Sequence, residues 1–270
     1  MIALLMALAA AQVGPFPTPN ADAPIPELEK RPPAPSAEPR AAPVSDQDGY
    51  AQCAALVRSD AERALIVANE WLVRGGGIFA RQCAGLAYVE LGRWDAAAAA
   101  FAQAAEQAET TVDPRRADFW VQAGNSWLAA GDALQARRAF DSALATALLA
   151  PQLRGEVHLD RARAGVALDD LAGARVDLDK GLELVPQDPF GWYLSSALAL
   201  KEKDLARAQD DIAEAVRLAP DDANLLVHAG NVAGISGEVE AARGLYARAI
   251  RLAPGTDAAK AAEAALAANR

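Results

Sequence analysis

Hydrophobic and small residues recur at helical spacing through most of the chain after residue 78, in pairs of stripes separated by short polar turns. The last pair shows the pattern on either side of Gly237: Leu226, Ala229 and Gly230 precede it, and Ala242, Tyr246 and Ala249 follow it. Residues three and four apart share one face of a helix, so each stripe predicts a helix with one buried face. A glycine between two stripes predicts a tight turn. The pattern therefore predicts antiparallel helix pairs.

The helix pairs repeat with a fixed period. Pro186, Pro220 and Pro254 lie 34 residues apart, each near the end of an apolar-rich stretch. We number the positions within each unit from 1 to 34, so that these prolines stand at position 32. Five units then follow the pattern: 78–111, 117–150, 155–188, 189–222 and 223–256. Extra residues at 112–116 and 151–154 are expected to lie between units. Such a period indicates that one supersecondary unit is stacked repeatedly.

The second unit carries the repeated positions most clearly. Positions 4, 8, 11, 20, 24 and 27 hold Trp120, Gly124, Trp127, Ala136, Phe140 and Ala143. This pattern resembles the tetratricopeptide repeat, and the resemblance covers residues 78–256. It implies an all-α fold, a right-handed superhelical solenoid of stacked antiparallel helix pairs with a concave groove.

Shorter helical segments flank the five units. Residues 49–77 are expected to form a short helix pair, in which Ser59 and Glu62 form a capping box and three glycines from Gly75 end the second helix. The glycines are not expected to bind phosphate, because no strand precedes them and no lysine–serine pair follows. Thr256 and Asp257 are expected to cap a C-terminal shielding helix over residues 257–270.

The N-terminal residues differ in composition from the repeats. Ile2 to Ala11 is an uninterrupted apolar run of ten residues, too short for a stable membrane span of about 20 residues. It predicts a signal peptide over 1–11 and export to the periplasm, although no Lys or Arg precedes the run. Residues 14–48 contain ten of the 16 prolines, so 12–48 is expected to be a disordered linker, or alternatively a proline-rich docking segment.

Charge and motifs narrow the classes of function. A net charge of −10 without a basic stripe argues against binding to nucleic acid or to an anionic membrane. No P-loop, nucleophile elbow or metal-ligand spacing is present, so we expect no enzyme, no cofactor and no metal. His158 occupies a position that tryptophan fills in sister units, and we expect it to pack between helices.

The two cysteines are Cys53 and Cys83, on the first helices of neighbouring pairs. Side-by-side packing of these helices makes a disulfide sterically feasible, and an exported chain would permit it. Two inert thiols are the main alternative, and metal or redox chemistry is a third.

In the repeat family, positions 2, 5, 9, 12 and 13 of the first helix line the groove. Carried over to this sequence, they predict a partner-binding set: Phe79, Gln82, Leu86, Val89, Asp118, Val121, Asn125, Leu128, Glu156, Leu159, Arg163, Phe190, Tyr193, Ala197, Leu200, Asn224, Val227 and Asn231. Val121 and Val227 stand where a carboxylate clamp would need lysines. Phe190, Tyr193 and Leu200 instead indicate an apolar patch for a helix or an extended segment, unless these residues merely pack inside the superhelix.

Together these features predict a non-catalytic protein–protein interaction scaffold. Its partner would be an unidentified protein or peptide held in the concave groove, with a role in envelope assembly or maintenance. Two alternatives remain: a structural module that self-associates through its groove or terminal helix, and an enzyme whose site no motif reveals.

Overall fold

The computed structural model describes residues 46–146 and 149–268. These residues form thirteen α-helices and no strand. The helices are α1 Asp46–Ser59, α2 Ala61–Val73, α3 Gly77–Glu90, α4 Trp94–Thr111, α5 Arg116–Ala130, α6 Ala133–Leu144, α7 Pro151–Ala167, α8 Leu171–Leu184, α9 Pro189–Glu202, α10 Leu205–Leu218, α11 Ala223–Ile235, α12 Val239–Leu252 and α13 Asp257–Ala268.

Aspartates at the period of the repeat start several of these helices. Asp170 and Asp204 cap α8 and α10, where each side chain accepts a hydrogen bond from the backbone N–H three residues later. Asp188 and Asp222 cap α9 and α11 in a similar way. Each carboxylate satisfies a backbone donor that the helix leaves free and complements the helix dipole.

Tight turns separate the two helices of each unit at position 15. Gly92, Gly131 and Gly237 adopt φ values of 66°, 86° and 81° there, a region that glycine enters without steric cost. The third and fourth units place Asp169 and Lys203 at this position, with φ of 60° and 64°. The turn conformation is therefore retained even where the glycine is absent.

Small residues at position 8 let the two helices of a unit approach closely. A Cβ added to Gly85, Gly124 or Gly230 would lie 2.5 Å from the ring at position 24, which is Phe101, Phe140 or Tyr246 respectively. These three rings are almost completely buried. Ring-on-glycine packing thus explains why a glycine at position 8 and a ring at position 24 recur together within this chain.

Successive pairs stack on one another. Each helix contacts its neighbours in the chain, and first helices also contact the first helices of the next unit, as between α7 and α9. The buried residues form clusters that follow one another along the array. The predicted all-α solenoid of stacked antiparallel helix pairs is confirmed.

The N-terminal pair differs in detail from the prediction. Helix α1 begins at Asp46, so residues 46–48 are helical rather than part of the linker, and Asp46 and Asp48 place negative charge in its first turn. Asp60, not Ser59, caps α2 by accepting from the backbone N–H of Arg63. Ser59 instead donates to the carbonyl of Leu56 at the end of α1. The expected signal peptide and the linker up to residue 45 lie outside the described residues.

The observed helix bounds can be compared with the two segments that were predicted to lie between units. Residues 151–154, expected between units, form the first turn of α7, because Pro151 fits the first position of a helix. Of the predicted segment 112–116, residues 112–115 lie between α4 and α5, and Arg116 is the first residue of α5. Thr256 accepts a hydrogen bond from the backbone N–H of Ala259, as predicted for the cap of α13.

The structure contains a disulfide between Cys53 on α1 and Cys83 on α3, with Cα atoms 6.1 Å apart. Both cysteines are buried among apolar residues of α1, α2 and α3. The bridge joins the first helices of the first two pairs, which agrees with the predicted disulfide.

Candidate functional site

Most of the side chains predicted to line a groove are exposed or half-buried on the first helices of the five units. Leu159 is the exception, at 3% exposure. Its side chain occupies the space that the hydrogens of Gly181 and Gly191 leave open, so it belongs to the core. Leu200 is half-buried and packs against the core cluster that includes Leu225 and Ala229 of α11. It therefore does not extend the exposed surface of Phe190.

Six side chains form a contact series across α5, α7, α9 and α11, which we call the inner ladder: Asn125, Asp160, Arg163, Phe190, Tyr193 and His228.

The ladder begins with polar contacts. The Nδ2 atom of Asn125 donates to Asp160 Oδ2 at 2.9 Å, and Arg163 Nη1 donates to Asp160 Oδ1 at 2.9 Å. The guanidinium carbon of Arg163 lies 5.9 Å from the centroid of the Phe190 ring. Asp160 therefore joins α5 to α7, and Arg163 joins α7 to α9.

The ladder continues through aromatic contacts. Phe190 stacks on Tyr193 with centroids 5.9 Å apart, and Tyr193 meets the His228 ring edge-on at 4.9 Å. The Phe190 side chain is 46% exposed although it is large and apolar. Aromatic faces and a guanidinium plane side by side suit contact with peptide backbone and with apolar side chains.

His228 is fixed by a hydroxyl behind it. Ser196 Oγ donates to the carbonyl of Ala208 at 2.8 Å, which leaves its lone pairs to accept from His228 Nε2 at 3.1 Å. This pairing assigns the hydrogen to Nε2 and makes Nδ1 an acceptor. Burial lowers the pKa of His228 below its ordinary value, so the ring is held neutral at pH 7.

A second aromatic group lies at the N-terminal end of the array. The guanidinium carbon of Arg115 lies 4.3 Å from the Phe79 ring centroid, and Tyr50 of α1 contacts the same ring at 6.0 Å. Asp113 accepts two hydrogen bonds from the Arg115 side chain, and these lower the pKa of Asp113. Phe79 is therefore covered by Arg115 and Tyr50 and offers less free surface than Phe190.

Two other predicted groove residues at this end, Asp118 and Gln82, have polar groups that are affected by burial. Burial raises the pKa of Asp118 above its usual value, with a smaller opposing effect from Arg115. The Oε1 atom of Gln82 is buried without a hydrogen-bond partner among the described residues.

A cavity of about 170 Å³, which we call the apolar slot, lies between α7, α8 and α9. Its lining residues are Ala162, Arg163, Val166, Leu178, Leu194, Ala197, Leu198 and Lys201. Arg163 and Lys201 are exposed, so the slot reaches the surface beside the inner ladder. Lys201 was missed by the sequence prediction although it stands at groove position 13 of the fourth unit.

Behind the ladder, two buried carboxylates tie the helices of the third and fourth units together. Asp177 is 7% exposed and accepts from Arg161 Nη2 at 2.6 Å, while its Oδ1 lies 2.8 Å from His158 Nδ1. Burial alone would raise the pKa of Asp177, but the hydrogen bonds from His158 and Arg161 outweigh burial and lower it. His158 thus packs between α7 and α8, as predicted, through a polar contact.

The equivalent carboxylate of the fourth unit is Asp211, at 5% exposure. Ser195 Oγ donates to Asp211 at 2.6 Å and accepts from Arg175 Nη1 at 2.6 Å. Arg175 in turn binds Glu202, and Arg207 binds both Asp179 and Asp211. These groups are engaged with each other, which is the arrangement expected of a structural network.

Within residues 46–146 and 149–268, no group of three His, Cys, Asp or Glu side chains is arranged to hold a metal ion. None of the helices in the described part of the chain combines the length and apolarity needed to cross a bilayer.

No protein-family model matches the chain, and no curated protein matches its sequence. Solved structures do match. PilW, described as a widely conserved type IV pilus biogenesis factor, is 17% identical, with a TM-score of 0.67 over 81% of this chain and 98% of PilW. TTC0263, a thermophilic TPR protein of Thermus thermophilus, is 18% identical, with a TM-score of 0.57 over 69% and 97% of the two chains.

The chain has the tetratricopeptide repeat fold. YrrB, described as a TPR protein with an unusual peptide-binding site, is also similar, at 19% identity and a TM-score of 0.50 over 68% of this chain and 91% of YrrB. In this tetratricopeptide repeat fold, the inner ladder and the apolar slot both lie on residues of the first helices, with Leu178 of α8 at the base of the slot.

Proposed function

We propose that this protein is a non-catalytic scaffold that holds an extended segment of a partner protein along its first helices, in the concave groove of the solenoid. The inner ladder carries this proposal. It offers guanidinium, phenyl, phenol and imidazole groups in one series across α5, α7, α9 and α11, and Phe190 is half-exposed within it.

Two features support the general role. The buried acids and bases of the third and fourth units bind one another, as in a structural network. YrrB, which has a similar fold, is described as having a peptide-binding site.

We further propose that the protein is exported and acts in the cell envelope, in assembly or maintenance. The Cys53–Cys83 disulfide supports an oxidising compartment, because cytosolic reductants keep most thiols reduced. The apolar run at residues 2–11 supports export. PilW is described as a pilus biogenesis factor, which favours an envelope role for a chain of similar fold.

Site-specific photo-crosslinking in cells tests the binding proposal. A photoreactive phenylalanine analogue at Phe190, on α9, is expected to capture a partner. The same analogue at Val176, 68% exposed on the second helix α8, serves as the control and is expected to capture none. Capture at Val176 alone, or crosslinks only to a second copy of this chain, would contradict the proposal.

Export is tested separately by fusing residues 1–48 to a reporter that is active only outside the cytoplasm. Retention of the fusion in the cytoplasm would overturn the envelope assignment and would leave the binding proposal standing.

A further inference from the structure

The apolar slot exists because two positions of the array carry small or shortened side chains. Position 9 of the first helix holds Leu86, Asn125, Arg163 and Asn231 in four of the units, but Ala197 in the fourth. Position 24, at the base of the slot, holds Leu178 where the first, second and fifth units place an aromatic ring. Ala197 and Leu178 both line the cavity between α7, α8 and α9.

The size of the slot suits one side chain. Its volume is about 170 Å³, and six of its eight lining residues are apolar. An apolar cavity of about 150 Å³ in another protein stays dry and binds benzene. The slot therefore fits the side chain of one leucine, methionine or phenylalanine.

The positive charge beside the slot determines which residues of a bound segment would be favoured next to the inserted apolar side chain. Arg163 and Lys201 are its charged lining residues, in a chain whose net charge is −10. Arg163 is paired with Asp160, whereas Lys201 forms no ion pair within residues 46–146 and 149–268. The nearest acid in sequence, Glu202, is engaged by Arg175. In the described part of the chain, the Lys201 ammonium group thus has no carboxylate partner and stands next to an open apolar slot.

We propose that the apolar slot anchors a partner protein through one large apolar side chain that is followed or preceded by acidic residues, with a carboxylate on Lys201 and Arg163. The proposal rests on the proposed scaffold function and adds the chemistry of the bound segment. The slot provides affinity through burial, and the two cations favour acidic over basic segments.

Selection from a phage library of random linear peptides on the immobilised full chain tests this inference. We expect enrichment of peptides with a leucine, methionine or phenylalanine next to Asp or Glu. A fluorescent copy of an enriched peptide then allows affinity to be measured by anisotropy. Replacing its apolar residue with serine is expected to weaken binding at least about tenfold.

Matched variants of the protein locate the contact. Ala197→Leu fills the slot and is expected to weaken binding about tenfold or more, whereas Ala206→Leu adds the same atoms at an exposed position of α10 and is expected to leave binding unchanged. Lys201→Gln is expected to weaken binding about threefold, more at low salt, and Lys203→Gln, in the turn after α9, is the control. Circular dichroism confirms that each variant is folded.

Three results would overturn the inference. They are enrichment of basic or purely polar peptides, binding that Ala197→Leu does not weaken, and no enrichment at all. If crosslinking at Phe190 still captures a partner in those cases, the scaffold function stands and only the assignment of the slot fails. A photoreactive group can also be placed at Ala197. Crosslinks from it to residues 12–45 of the same chain, or to a second copy, would contradict the proposal that the slot binds a different protein.

Discussion

In the second unit the buried ring of Phe140 lies against Gly124, whereas the third unit places Leu178 and Ala162 at the same two positions. The second unit turns at Gly131 and the third at Asp169, and both residues have a left-handed backbone. The third and fourth units carry Asp177 and Asp211 at position 23, where the second unit has Ala139.

This difference shows two ways of holding a helix pair together. The second unit depends on a ring packed onto a glycine, and the third depends on aliphatic contacts together with a hydrogen-bonded carboxylate between its helices. The arrangement of the third unit leaves the apolar slot open beside Leu178. The departure from the repeat pattern therefore coincides with the candidate binding features.

The largest expected effect comes from removing the ring of the second unit. Phe140→Ala is expected to lower the free energy of unfolding by about 3–5 kcal/mol, because the ring is fully buried and leaves a cavity. Urea unfolding followed by circular dichroism measures the change. Phe190→Ala, the same substitution at a half-exposed ring, is the control and is expected to cost about 1 kcal/mol or less. Equal losses for the two variants would contradict the packing account.

The carboxylate of the third unit is expected to contribute less. Asp177→Asn is expected to lower stability at pH 7 by about 2 kcal/mol, because hydrogen bonds from Arg161 and His158 lose their charged acceptor. The pKa of Asp177 is lowered in the folded state, so its contribution is present above the unfolded value of about 4 and is lost as the pH falls through the folded pKa.

Denaturation curves at several pH values between neutral and strongly acidic conditions test that dependence. The wild-type chain is expected to lose stability more steeply on acidification than Asp177→Asn. Asp210→Asn, at an exposed position of α10, should follow the wild-type curve. Parallel curves for wild type and Asp177→Asn would rule out the assigned role.

A double substitution converts the third unit to the packing of the second. Ala162→Gly with Leu178→Phe is expected to change stability by only about 1 kcal/mol, because the ring gains burial while the glycine costs helix propensity. The new ring is expected to fill the apolar slot, so peptides selected on the wild-type chain should bind weakly. Thermal unfolding and anisotropy measure the two effects. Unchanged peptide affinity would contradict the link between repeat degeneracy and the slot.

The smallest expected effect concerns His228. Burial lowers its pKa in the folded state, so the unfolded chain binds more protons near pH 6 and stability falls as the pH drops from 7 through the folded pKa. His228→Gln keeps an N–H donor for Ser196 and should flatten this dependence. Melting temperatures at pH 7 and in mildly acidic buffer give the comparison, and an identical slope in the variant would refute it.

The sequence predicted the parts of the fold that depend on local chemistry. Spacing and residue type predict the helix pairs, the cap at Thr256 and the turns at Gly92, Gly131 and Gly237. The partners of Asp177 and Asp211 could not be predicted, because side-chain geometry decides which arginine reaches which carboxylate. The apolar slot escaped prediction for a related reason, since it arises from the combined shortness of Ala197 and Leu178. The predicted groove positions named Arg163, Phe190 and Tyr193, but not their link through Asp160 and His228.

The disulfide between α1 and α3 also determines which end of the helical array is expected to unfold first. It closes a loop that contains α2, so the first pair cannot peel away from the second while the bridge is intact. Helix α13 has no such tie and packs against α11 and α12. In a linear array of nearest-neighbour contacts, fraying starts at the weaker terminus. Within the helical array, residues 46–268, we therefore expect protease to cut first near Gly255 under native conditions, and amide exchange to spread inward from that side.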